Sequence, residues 1–242
     1  MFDTHLWQQL EEWKRGCKWV ELSRVLSPQT PHWSGFPDMK DTVLFDYPDG
    51  FFVNEFQLVS QYGTHADAPC HFVEGTPGLD VFGAADLVLP LCVVDVSGKV
   101  KDDVDYELTP QDLLDWEAVH GRVPARAFVA ARTDWHERED LDNCDAQGNK
   151  HYPGWRLDAL KFLVEQRDVA AIGHEPSDTD APAAGTNFAG EYYILEQGRY
   201  QVELMINLDQ LPPVGAIIFC GFPRAKDAAG FTARCIAVCP AS

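Results

Sequence analysis

No stretch of this chain reaches the roughly 18 uncharged apolar residues that a bilayer-spanning helix needs, so a membrane partner is not expected. Basic residues are scarce, with 19 Lys and Arg against 38 Asp and Glu and a formal net charge of −19. Nucleic-acid backbones are gripped by a surplus of Lys and Arg, and that class of partner is therefore disfavoured. The acidic surplus reads mainly as solubility, with a smaller share free to surround a cation. The first residues, Met1-Phe2-Asp3-Thr4-His5-Leu6-Trp7, lack the basic-then-apolar order of a secretory leader, which points to the cytoplasm. A Gly-x-Ser-x-Gly elbow is also absent, which weighs against a serine hydrolase.

Cysteine is present without forming a framework. The seven cysteines are an odd number at irregular spacing, and most sit among apolar neighbours, as in Leu91-Cys92-Val93. They read as reduced thiols used as small core residues. Cys235 and Cys239 have no second Cys or His pair nearby to complete a zinc site. The acidic run from Asp142 to Gly148 does not follow the spacing of an EF-hand loop.

Periodicity and punctuation predict the elements. Leu6, Leu10 and Trp13 are spaced for one face of a helix over residues 5–15, and Val20 to Val25 reads as a strand. Pro28, Pro31 and Pro37 make the following aromatic segment a loop. Strands are expected at Phe51–Ser60, Leu87–Val96, Ala127–Ala131, Val169–Gly173, Ala216–Gly221 and Thr232–Val238. Helices are expected at Pro110–Val119 behind the N-cap Thr109, at Arg156–Gln166 and at Thr186–Gln197, with Glu139–Gly154 a surface loop. Strands that follow one another without an intervening helix predict an α/β or α+β fold with a mixed sheet, not a doubly wound one, in a single domain over residues 1–242.

The chemistry concentrates in Gln61–Phe72. Gln61, Gly63, His65, Asp67, Pro69 and His71 occupy odd positions, so an extended chain would turn Gln61, His65, Asp67 and His71 to one side. Imidazole and carboxylate together suit Zn²⁺, Mn²⁺ or Fe²⁺. Any one of these residues taken alone is better read as a satisfied polar group, but four converging beside Gly and Pro favour a site. Glu203 lies in Val202-Glu203-Leu204-Met205-Ile206, where an unpaired carboxylate is costly to bury and a ligand role is the better account. Glu191, within a predicted helix, is open between ligand and solvated surface. His174, Asp178 and Asp180 follow a buried strand and read more simply as an N-cap and turn cluster. Trp33, Phe36, Phe72 and Phe82 could line an aromatic pocket or serve only as core.

Gly63-Thr64-His65-Ala66-Asp67-Ala68-Pro69-Cys70-His71-Phe72 resembles the His-x-Gly-Thr-His-x-Asp-x-Pro-x-His signature of the cyclase-like metal-dependent hydrolases, a family that includes kynurenine formamidase and isatin hydrolase. Pro31-His32-Trp33 is similar to the family's early Pro/Trp loop, and Glu203 to Pro212 to its late Glu-Asn-Leu-x-Asn-Leu-Asp-x-Leu-Pro segment. The resemblance implies a swivelling β/β/α architecture, a homo-oligomer (dimer or tetramer) and a divalent ion, Mn²⁺ or Zn²⁺. It implies His65, Asp67 and Glu203 as metal ligands and His71 as the catalytic histidine. The chain departs from the pattern twice, with Gln61 where the family has its first His and Glu191 where it has another. Both replacements can still bind metal, and the added oxygen ligands favour a harder ion.

The expected activity is hydrolysis of an amide, lactam or lactone in a small cyclic or aryl substrate held by Trp33, Phe36 and Phe72. An arylformamidase and a non-catalytic metal- or ligand-binding protein are the alternatives.

Overall fold

The computed structural model describes residues 3–241; Met1 and Phe2, at the head of the segment read for a leader, and Ser242 lie outside the described residues. The chain opens with α1 (His5–Gly16), β1 (Cys17–Glu21), β2 (Lys40–Phe45), β3 (Val53–Gln57) and β4 (His65–Asp67). Its middle holds β5 (Val88–Asp95), α2 (Ser97–Asp102), β6 (Glu107–Leu108), α3 (Pro110–His120), β7 (Phe128–Arg132) and β8 (Gly154–Trp155). It closes with α4 (Leu157–Lys161), β9 (Ala171–His174), α5 (Ala189–Glu196), β10 (Tyr200–Glu203), β11 (Ala216–Gly221), β12 (Gly230–Thr232) and β13 (Arg234–Pro240).

Nine strands form one mixed sheet in the order β1-β13-β11-β5-β7-β9-β10-β4-β12. The four central strands run parallel, and the wings pair antiparallel to them. Successive strand residues point to opposite faces, so β5 and β7 feed two cores. Cys92, Val94, Val129 and Ala131 pack under the helices with Leu113, Trp116, Leu160, Leu163 and Ile194. Leu91, Val93, Phe128 and Ala130 point the other way and meet Val202 of β10 and residues of both wings, including Val20, Ala66, Ile218 and Ala237. The sheet is therefore curled around a second core of its own. A Cβ at Gly173 in β9 would fall 2.4 Å from Met205 Sδ, so only glycine lets this central strand approach its neighbours.

The mixed α/β architecture follows the sequence expectation; several boundaries do not. The strand expected at Val20–Val25 ends at Glu21, and the one expected at Phe51–Ser60 covers only Val53–Gln57. That strand pairs with β2 in a separate hairpin, in register from Lys40↔Gln57. Helix α1 forms where its spacing predicts, but none of its residues is buried. The helix expected at 156–166 changes to a wider π-turn after Lys161, and that expected at 186–197 begins at Ala189. Strands β4 and β10 are too short to announce themselves by alternation, yet they hold the site.

Helix α3 is fixed by its N-terminal residues. Thr109 Oγ1 accepts from Asp112 N at 3.3 Å and Asp112 Oδ2 accepts from Thr109 N at 2.7 Å, a reciprocal capping box with Pro110 at the first helical position. Lys99 closes on the same carboxylate. Burial opposes ionisation of Asp112, but Lys99 and Thr109 outweigh it and hold its pKa below the ordinary value. Asp112→Asn is therefore predicted to destabilise the fold by about 1–2 kcal/mol at neutral pH, read by urea denaturation. A depressed folded-state pKa stabilises above about pH 4 and loses that stabilisation as pH falls through it, so the gap between wild type and variant should close on acidification.

Candidate active site and metal centre

Only His65–Asp67 of the Gln61–Phe72 segment forms a strand. Gly63 adopts φ +63°, where a Cβ would fall 2.9 Å from Thr30 Cγ2, and Pro69–His71 forms a 3-10 turn. Gln61, His65, Asp67 and His71 do converge, but through these turns and not through one straight strand.

Strand pairing assembles the rest. Antiparallel β10 sets Glu203 opposite His65 and Gln201 opposite Asp67. On the other edge of β4, Gly230 lies opposite Asp67. Parallel β9 ends with His174 beside Glu203, its Nε2 3.4 Å from Glu203 Oε1. Helix α5 brings in Glu191, which is only 3% exposed and so is not the solvated surface carboxylate that its helix allowed.

Two groups of ligand atoms result, His65/Asp67/Glu203 and Asp67/His71/Glu191, with Asp67 common to both. His65 Nε2 lies 3.4 Å from Asp67 Oδ2 and 3.5 Å from Glu203 Oε2, while its Nδ1 faces Gly63 O at 2.8 Å. His71 Nε2 is 4.0 Å from Glu191 Oε1. Gln61 donates from Nε2 to Asp67 Oδ1 at 2.7 Å and meets His71 Nε2 at 2.9 Å, so its amide nitrogen faces the cluster.

The electrostatics call for positive charge. Burial, and then the neighbouring carboxylates, push the Glu191 and Glu203 carboxyls well above the ordinary range. Burial opposes charge on both His65 and Asp67, yet their pairing outweighs it, raising the imidazole pKa and lowering that of the carboxyl. Burial lowers the pKa of His71 and brings that of His174 down to about 3. Glu191 Oε2 is buried without a hydrogen-bond partner. An orphaned carboxylate oxygen beside two more buried carboxylates and two imidazoles is a donor set that fits a divalent cation.

This cluster floors a cavity of about 250 Å³ lined by Trp33, Phe36, Phe72, Phe188, Ser177 and Asp178. Trp33 and Phe36 meet edge to face with centroids 4.9 Å apart, and Phe72 faces Phe188 at 5.8 Å. Of the four aromatics considered, Phe82 is elsewhere, packed on Tyr200 at 5.1 Å. The turn reading of the 178–180 segment holds for Asp180, which accepts from Gly190 N and Glu191 N at 2.9 Å and anchors the start of α5. Asp178, in the same bend, also lines the cavity and accepts from the Tyr152 hydroxyl. Sequence reasoning passed over Gln201, Phe188 and Ser177. Gln201 carried a signal, standing two residues before Glu203 on one strand face.

A curled mixed sheet, helices on one face and a histidine–carboxylate cluster at the strand ends define the cyclase-like hydrolase architecture. The chain belongs to the Cyclase family (“Putative cyclase”), which matches residues 20–181. It is 30% identical to isatin hydrolase of Roseibium aggregatum over 242 aligned residues, covering 91% of each chain. The structure of isatin hydrolase A from Labrenzia aggregata bound to benzyl benzoate superposes with a TM-score of 0.91 at 29% identity, covering 98% of this chain and 99% of that one. An isatin hydrolase bound to the product analogue thioisatinate gives a TM-score of 0.90 at 28% identity over 100% of both chains.

Gly230 supplies a test of the site. A Cβ there would lie 2.6 Å from Asp67 Oδ1 and 2.5 Å from Gln61 Cγ. Gly230→Ala is predicted to displace Asp67 and weaken Mn²⁺ binding by at least about tenfold in calorimetric titration of demetallated protein. Wild-type affinity in that variant would show that Asp67 is not needed where it stands.

Proposed function

We propose that this member of the cyclase family is a metal-dependent hydrolase that opens the amide ring of a small aromatic lactam of the isatin type. The observation that carries the reading is the buried His65/Asp67/Glu203 cluster, with His71 beside it, on the floor of an aromatic cavity. His65, Asp67 and Glu203 would hold the ion. Glu191 borders it on the His71 side, and Gln61 would reach it by turning its amide oxygen inward. One or two imidazoles among several carboxylates favour Mn²⁺ over Zn²⁺. A divalent cation in this donor set supplies Lewis-acid polarisation of the amide carbonyl and a lowered pKa for an adjacent water.

The chain's own residues do the remainder. Trp33, Phe36, Phe72 and Phe188 grip a planar ring and exclude bulk water. His71 is kept neutral by burial, so it can take a proton from the attacking water. It returns that proton to the ring nitrogen as the C–N bond breaks, leaving an amine and a carboxylate, with water's second proton released to solvent. The named relatives, isatin hydrolases crystallised with a product analogue and an aromatic ester, support this substrate class. Removal of metal by chelation should abolish isatin turnover and Mn²⁺ should restore it, measured by the isatin absorbance. His71→Ala should lower kcat by about 100-fold or more with metal content unchanged. Bound metal without turnover of isatin, other lactams, lactones or aryl formamides would instead favour a binding protein.

We also propose a homo-oligomer of the β2–β3 hairpin face, in the cytoplasm. Val43, Leu44, Phe45, Tyr47, Phe51, Phe52, Val53 and Phe56 are each more than a third exposed on this hairpin. So many large apolar side chains exposed on one hairpin suit a surface that another protein copy covers. Seven free cysteines suit a reducing compartment. No helix among the described residues is long and apolar enough to cross a membrane. Light scattering after size-exclusion chromatography should give at least a dimer, and Phe45→Ser with Phe56→Ser should shift it toward the monomer.

A further inference from the structure

Gln201 is completely buried, and its Nε2 touches the carboxylates from both halves of the site. It lies 2.9 Å from Glu203 Oε1, 3.1 Å from Glu191 Oε1 and 3.3 Å from Asp67 Oδ2. An amide is polar in one sense only, and its nitrogen and oxygen have nearly the same shape. Reversed, it would set its oxygen against three carboxylate oxygens and disperse them. The carboxylates, which only accept, therefore turn the nitrogen toward themselves, and the amide's other end is what must be held in place.

That end meets the Thr179 hydroxyl, which donates to Gln201 Oε1 at 2.7 Å from a fully buried side chain. Thr179 is itself held by strand β8, because Trp155 N donates to Thr179 O at 2.7 Å. The approach is close enough that a Cβ on Gly154 would lie 2.7 Å from that same oxygen. On either side of Thr179, Asp178 faces the cavity and Asp180 ties down the N–H of Glu191. The tripeptide thus reaches the site along three separate routes.

We infer that Thr179, through its hydrogen bond to Gln201, holds in place the amide that links Asp67, Glu191 and Glu203, and is a positioning residue for cation binding. The inference rests on the reading of this cluster as a metal centre. Its two N–H protons are shared among one oxygen of each carboxylate, which leaves Glu191 Oε2 and Glu203 Oε2 free of the amide and available to an ion.

The test is calorimetric titration of demetallated wild type, Thr179→Val and Thr179→Ser with Mn²⁺ and with Zn²⁺, alongside thermal melts with and without metal. Valine keeps the shape and removes the donor; it is expected to weaken Mn²⁺ binding about 10- to 100-fold. Serine keeps the hydroxyl and is expected to return affinity to the wild-type range. Should the valine variant fail to fold, Thr179→Cys, with its weak S–H donor, is expected to bind between the two. Undiminished affinity in the valine variant, or a serine variant as weak as valine, overturns the positioning role while the metal centre stands. A lower melting temperature with unchanged affinity would show a merely structural residue and overturn it likewise. Wild type that binds neither ion would overturn the metal centre and this inference together.

Discussion

Asp67, Glu191 and Glu203 are withdrawn from water and lie close enough to share one amide donor. Burying three carboxylates together is among the most costly arrangements a protein can make, and it persists only where surrounding structure enforces it. Each comes from a different element: β4, α5 and β10. The sheet register fixes two of them, because β10 pairs with β4 so that Glu203 faces His65 and Gln201 faces Asp67. The third depends on α5, whose start is held by Asp180.

The rest of the fold makes that enforcement rigid. The central strands are buried on both faces, one under the helices and the other inside the curled wings. Small residues recur where backbones or side chains must crowd: Gly173 beneath Met205, Gly230 against Asp67 and Gly154 against Thr179. A close-packed interior of this kind transmits position with little slack. The aromatic wall above the cluster is built differently, on the loop carrying Trp33 and Phe36 and on Phe188, which takes a left-handed φ of 61° just before α5. Loops on a rigid scaffold are where specificity varies within a family.

Much of the site was legible because its residues are chemically incongruous where they stand. His65, Asp67 and His71 crowd a short Gly/Pro segment, and Glu203 interrupts an apolar run. The aromatic wall was partly legible, since Trp33, Phe36 and Phe72 line the cavity while Phe82 joins the core. Thr179 was not, because an uncharged side chain in a buried turn looks like any other satisfied polar group. The hairpin strand β2 was hidden for a related reason: all of its residues are exposed, so no alternation between core and solvent marks it.

The sequence by itself determined the family, the mixed α/β class and the ligand-bearing motif, because those reside in local order: spacing, caps, and runs of apolar residues. Only the tertiary structure decided that Glu191 is buried and that Asp67 serves two ligand groups. It also decided that the amide of Gln61 turns its nitrogen inward and that the Thr179 hydroxyl donates to Gln201. These are contacts between strands and helices far apart in the chain. Their register follows from how two cores pack on a curled sheet, which no single segment encodes.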